Sequence, residues 1–245
     1  MTSAAFAQTP IPIRADLRAA LARSWTRLGE PGAWLDGATR VQVAAEARQA
    51  WDCALCRRRK EALSPHAIEG DHDALGRLPE SWIEVIHRVV TDSGRITERW
   101  YQAMRERGVG EEEFVELVSV AVLATVVDAF ALGIGMAAPA LPQARAGEPA
   151  RQRPGNVTPG PGWVSTIPPE RAGPEIGEFY ARGAQHIKRA LTLVPEETHR
   201  FWDLMYPLYL PDPTIVELEG AERAISRAQM EFIAARVSAL LDCFY

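Results

Sequence analysis

The chain has 245 residues, 47% of them apolar and 24% charged, with a formal net charge of −5. That length allows one large or two small domains with a sizeable core, and the acidic balance argues against a nucleic-acid partner. Three cysteines, two of them spaced C-x-x-C, exclude a disulfide scaffold and point to a reducing, cytoplasmic setting in which thiols do chemistry or hold metal.

Taken in order, Met1 to Pro12 reads as a loose tail. It lacks the basic segment and apolar run of a secretory signal. Asp16 to Leu28 reads as a helix with Leu17, Leu21 and Trp25 on one face, ended by Gly29 to Gly32. A second helix is expected from about Thr39 to Ala62. Val41, Val43, Ala44, Ala47, Ala50, Trp51 and Ala54 form its apolar face, and Ser64-Pro65 ends it. A polar loop follows with His66, Glu69, Asp71, His72 and Asp73. Pro79 to Val90 reads as a helix burying Trp82, Ile83, Val85, Ile86 and Val89, with His87 as a satisfied helix-face residue. Ile96 to Arg107 is another helix. Glu111, Glu112 and Glu113 open a long one with acids in its first turn. It runs to about Leu132 and is apolar nearly all round, so it should be central. Glu116 and Asp128 interrupt it, leaving no uncharged run of the ~18–20 residues that a membrane span needs.

Residues 138–162 are rich in proline and glycine and read as a linker or surface strap. Helical patterns resume at Glu175 to Leu193, Pro195 to about Tyr209, and Ser226 to Cys243. Ser226 and Gln229 make a capping box for the last of these. No strand competes, so the expected class is all-α. The expected organisation is a helical domain over 1–137, the 138–162 linker, and a further helical unit over 163–245.

The chemistry concentrates in Trp51-Asp52-Cys53-Ala54-Leu55-Cys56-Arg57-Arg58-Arg59-Lys60. Residues three apart on a helix share a face, so Cys53 and Cys56 can reach each other. Neighbouring cations favour the thiolate. In an unbroken helix the dipole offers Cys56 nothing, which leaves Arg57, Arg59 and Lys60 to lower its pKa. Two uses of the pair stand side by side. One is a dithiol that cycles to a disulfide. The other is a metal site of Cys53, Cys56, His66 and His72, whose C-x2-C-x9-H-x5-H spacing is close to a finger-like pattern. Buried cysteines that merely pack are the inert alternative. No glycine-rich phosphate loop is present.

A weak internal repeat relates Ala44 to Cys53 with Ala234 to Cys243. Both stretches carry an Ala-Ala pair and end in Asp-Cys. This pattern resembles the alkylhydroperoxidase D / carboxymuconolactone decarboxylase (AhpD-like) family, whose redox members carry E-x11-C-x-x-C and a nearby His. Glu231 to Cys243 matches the E-x11-C spacing, and Arg227 to Ala234 resembles the lead-in. Residues 79–137 resemble the half of that fold which follows the motif. The resemblance implies an all-helical fold and a homo-oligomer, with no cofactor. It also implies a thiol-dependent peroxidase whose partners are a hydroperoxide substrate and an external dithiol reductant. On that reading Cys56 attacks the peroxide, Cys53 resolves the sulfenic acid, and the 163–245 unit is a partial second copy.

The chain departs from the family in three places. Val41 stands twelve residues before Cys53, where the family has Glu, and Glu46 is the expected substitute. Lys60 stands where the family has His; His66 and His72 in the following loop are the available replacements, and Glu46 is expected to take the thiol proton through His66 or a water. In the second copy the sequence stops at Tyr245, inside the motif. A selenocysteine codon at the next position would produce that ending, and a different stop codon there would refute it. The apolar face of Phe232, Ile233, Val237, Leu240 and Leu241 is then expected to dock on the first domain or on another subunit.

Overall fold

The computed structural model describes residues 5–181, 183–211, 223–241 and 243. Met1 to Ala4, Asp242 and Tyr245, which figure in the tail, repeat and ending just discussed, lie outside the described residues. The class is all-α. The longer helices are α1 (Ala15–Leu28), α2 (Gly37–Gln49), α3 (Ala54–Glu61), α4 (Glu80–Asp92), α5 (Glu98–Glu106) and α6 (Glu111–Gly133). After them come the short α7 (Pro174–Gly177) and α8 (His186–Arg189), then α9 (Pro195–Leu208) and α10 (Arg227–Leu240). A single antiparallel bridge, Thr158 to Thr166, is the only β pairing among the described residues.

α6 is the central element. Its apolar positions run all round, and it packs on α2, α4, α1 and α9. Its length and mean hydropathy of 2.1 would suit a membrane span, but 56% of that apolar window is buried inside the fold, as in a core helix. Leu21, Trp25, Val43, Ala44, Val85, Ile86, Leu117, Val120 and Ala124 form the core around it, and Leu204 of α9 joins them.

Residues 138–162 are extended and held against the helices. The Arg145 and Arg151 amides donate to the carbonyls of Gly29 and Ala33, and the Trp25 indole donates to Ala140 O at 2.8 Å. The helix expected over Glu175 to Leu193 is not continuous. Only the single turns α7 and α8 form, separated by Gly183 at φ +114°, a conformation that suits glycine and breaks a helix.

α10 starts at its expected Ser226–Gln229 capping box but stops at Leu240. Phe232, Ile233, Val237, Leu240 and Leu241 stay exposed, so within one chain this face has not docked on the rest of the fold. Cys243 is likewise exposed. Glu231 pairs with Arg227 at 2.8 Å and accepts from the Tyr209 hydroxyl. No described hydrogen bond joins Glu231 to Cys243.

Three helices are tied by a buried charge cluster. Arg40 of α2 bonds Glu116 of α6 and, at 2.8 Å, Glu197 of α9. Ser119 Oγ donates to Glu197 at 2.7 Å, and the Trp34 amide donates to Glu116 at 2.7 Å. Two carboxylates share one buried guanidinium. Burial, and then the charge of Glu197, push Glu116 up to about 7 despite Arg40. Burial also acts against ionised Glu197, but Arg40 and Arg200 outweigh it and hold that carboxyl below its usual value. Below about pH 7 the cluster is therefore expected to hold Glu116 protonated beside an ionised Glu197. A carboxyl raised on folding contributes stability that is complete below its unfolded value of 4.5 and fades as pH rises through about 7. Urea midpoints are accordingly expected to fall between about pH 5 and pH 8. Glu116→Gln should flatten that slope, and an unchanged slope in the variant would assign it to another group.

Candidate functional site

The helix expected over Thr39 to Ala62 is in fact two. α2 ends at Gln49, Ala50 to Asp52 tighten into a 3₁₀ turn, and Cys53 is extended at φ −70°, ψ 121° before α3 begins. A break exposes backbone groups that need partners, and side chains supply two of them here. The Arg57 guanidinium donates to Asp52 O at 2.8 Å. The Ala54 amide donates to the Asp73 carboxylate at 2.7 Å. Cys53 is thereby the N-cap residue of α3 and Cys56 lies in its first turn, both at the positive end of the dipole. This corrects the expectation that the dipole offers Cys56 nothing.

Both cysteines are buried, Cys53 at 0% and Cys56 at 4% exposure. Trp51, expected in the core, is 57% exposed, because the break turns its face outward. The cations behind the pair do not face the sulfurs. Arg57 caps Asp52, Lys60 lies 3.6 Å from Asp92, and Arg59 pairs with Glu84 at 2.8 Å. The groups that face the sulfurs are instead two histidines.

His72 comes from the loop between α3 and α4. Gly70, at φ +142°, makes the turn that returns this loop over α3. Its Nδ1 lies 3.5 Å from Cys53 Sγ and 3.5 Å from Cys56 Sγ. Its Nε2 lies 2.8 Å from Glu84. Glu84 also receives the Trp100 indole N–H at 2.9 Å. Burial disfavours a charged His72, but its contacts with Cys56, Glu84 and Cys53 outweigh that and push it up to about 10. Burial would raise Glu84, yet His72, Arg59 and Trp100 bring it to about 2. These contacts favour the imidazolium form of His72, whose Nδ1 faces both sulfurs. Burial also works against a Cys53 thiolate, but the backbone N–H groups of Cys56 and Asp73, then His72, outweigh it and lower the thiol.

His87 comes from α4, three residues past Glu84 and hence on the same side of the helix. Its Nδ1 lies 3.3 Å from Cys56 Sγ, and its Nε2 lies 2.9 Å from Glu46. Glu46 is fully buried on α2, and its carboxylate also accepts the Leu75 amide at 3.1 Å, which pins the His72 loop. Burial, helped by the nearby His72 charge, lowers His87 despite Glu46, which favours the neutral ring. A carboxylate at Nε2 selects the tautomer that carries its proton there and leaves the Nδ1 lone pair facing the Cys56 thiol.

The structure thus gathers Cys53, Cys56, Glu46 and His72. His66 is exposed on the loop with no described hydrogen bond to either cysteine, so it is not placed for the relay expected of it, and it lies outside the four-donor cluster, in which His87 stands instead. His87, expected as a satisfied helix-face residue, is satisfied by Glu46 and in addition faces Cys56 Sγ. It was legible as a histidine between Ile86 and Val90 on the buried side of an amphipathic helix, matched by Glu46 between Ala44 and Ala47 on another. A cavity of about 340 Å³ lined by Trp163, His186 and Arg189 lies elsewhere and contributes none of these groups.

Comparison of the chain with family models, with curated proteins and with solved structures returns no match.

Proposed function

We propose that this protein is a dithiol oxidoreductase that reduces hydroperoxides through Cys56 and Cys53, as the AhpD-like resemblance implies. The observation that carries the reading is the chain Glu46–His87–Cys56, with the His72 imidazolium bridging both sulfurs. It has the form of an activated nucleophile, in which an oriented base faces a thiol. Cys56, the less buried of the two, meets the peroxide.

His87 Nδ1 takes the Cys56 proton. The thiolate attacks the terminal peroxide oxygen, the O–O bond breaks, and the leaving alkoxide takes the proton back from His87. The products are an alcohol and Cys56 sulfenic acid. The Cys53 thiolate, within 4.8 Å, attacks that sulfur. The S–S bond forms, and hydroxide leaves with the proton held at His72, as water. One hydroperoxide and two thiols thus become one alcohol, one water and one disulfide. An external dithiol then exchanges with the disulfide and is itself oxidised. A reducing, cytoplasmic setting fits this cycle. The exposed α10 face is the apolar surface available to the homo-oligomer that the resemblance implies.

Cys53→Ser is expected to stop the cycle halfway, leaving a Cys56 sulfenic acid that a dimedone-type probe captures and mass spectrometry locates. Cys56→Ser should give no adduct at Cys53. Capture at Cys53 in preference to Cys56 would reverse the roles, and capture at neither would remove the peroxidase reading.

A further inference from the structure

We infer that Cys53, Cys56, His72 and His87 form a tetrahedral site for one zinc ion. The four donors, two sulfurs and two imidazole Nδ1 atoms, lie within 4.8 Å of one another. With Zn–S near 2.3 Å and Zn–N near 2.0–2.1 Å, a tetrahedron places each sulfur about 3.6 Å from each nitrogen. The observed separations are 3.5, 3.5 and 3.3 Å. The set runs C-x2-C-x15-H-x14-H and draws on the N-terminus of α3, the loop and α4. It exchanges the exposed His66 for the buried His87.

A second, independent feature points to the metal. Each histidine turns its far nitrogen to a carboxylate, His72 to Glu84 at 2.8 Å and His87 to Glu46 at 2.9 Å. Metal-binding histidines are typically oriented and made more basic in this way. Both carboxylates are themselves anchored, Glu84 by Arg59 and Trp100 and Glu46 by the Leu75 amide. Two thiolates and two imidazoles are a donor set that zinc favours over the hard cations. All four side chains are buried or nearly so, which suits a closed site with no water ligand. Joining α3 and α4 to the intervening loop, the ion would hold the reduced site in one geometry.

Zinc and the disulfide exclude each other, because oxidation removes both sulfur ligands. A zinc-loaded site would shield the thiols from peroxide, and oxidation would release the ion. The binding argument does not depend on peroxidase activity, so the test runs in a thiol-free phosphine reductant without peroxide.

The full chain is stripped with chelator, and Zn²⁺ or Co²⁺ alone is added. The expected result is one ion per chain by native mass spectrometry. Cobalt should show the visible absorption of a tetrahedral ion and thiolate-to-metal charge transfer. Glu46→Gln and Glu84→Gln should each weaken binding by about 10–100-fold. His87→Asn should weaken it further, while His66→Ala should bind like the parent. Circular dichroism checks that each variant is folded. Should His87→Asn fail to fold, the parent's cobalt spectrum decides alone. No stoichiometric metal, an octahedral cobalt spectrum, or equal binding by folded His87→Asn and His66→Ala would overturn the proposal.

Discussion

His87→Asn is expected to slow the reaction of metal-free, reduced protein with peroxide by about 10²–10⁴-fold, the usual contribution of a positioned general base. The expectation follows from the distances. His87 Nδ1 is 3.3 Å from Cys56 Sγ, and the neutral ring has its lone pair there because Glu46 occupies the other nitrogen. Stopped-flow decay of the reactive thiol measures the rate. Glu46→Gln should slow it less, because the imidazole remains, and should change the pH–rate profile by releasing the tautomer. The exposed His66 supplies the contrast, since His66→Ala should react at the parent rate. A folded His87→Asn reacting at the parent rate would remove His87 from the proton path and leave His72 as the only imidazole acting on the thiols.

Arg40→Met is expected to cost about 3–5 kcal/mol of stability, because it strands buried carboxyl groups without their cation. Arg40 is fully buried between Glu116 and Glu197, and the cluster ties α2 and α6 to α9. Equilibrium denaturation in urea measures the loss. Apolar replacement of Arg40, Glu116 and Glu197 together should recover much of it, since a well-packed apolar set of similar volume often matches a buried ion cluster. A single Arg40→Met variant as stable as the parent would mean that water or Arg200, 3.0 Å from Glu197, already compensates the charge.

The all-α class was legible because its signals are local. The apolar stripe of α1, the acids opening α6 and the Ser226–Gln229 box each act within a few residues, and those elements formed near their expected bounds. The break at Cys53 was not legible. Nothing in Ala50-Trp51-Asp52 forces it, and the group that stabilises it, the Asp73 carboxylate on the Ala54 amide, is a tertiary contact across the loop. The same distance hid the site. Local reading put the activating charge on Arg57, Arg59 and Lys60, whereas the fold spends those cations on a carbonyl and on acids. It supplies His72 and His87 from the next loop and helix instead. Glu46, the expected substitute for the family's Glu, lies seven residues before Cys53 and does stand at the cysteines, although it touches His87 and not His66. The failed helix over Glu175 to Leu193 has a different cause: Gly177 and Gly183 weaken a pattern that the apolar spacing alone would support.

The dithiol cycle is tested most directly by the mass of the metal-free, reduced protein before and after one equivalent of hydrogen peroxide, with the modified peptides mapped. The expected result is the loss of two hydrogens and a single cross-link between Cys53 and Cys56, reversed by a dithiol, with Cys243 unmodified. Peroxide-treated protein that keeps both Cys53 and Cys56 as free thiols, or that oxidises only the exposed Cys243, would contradict it.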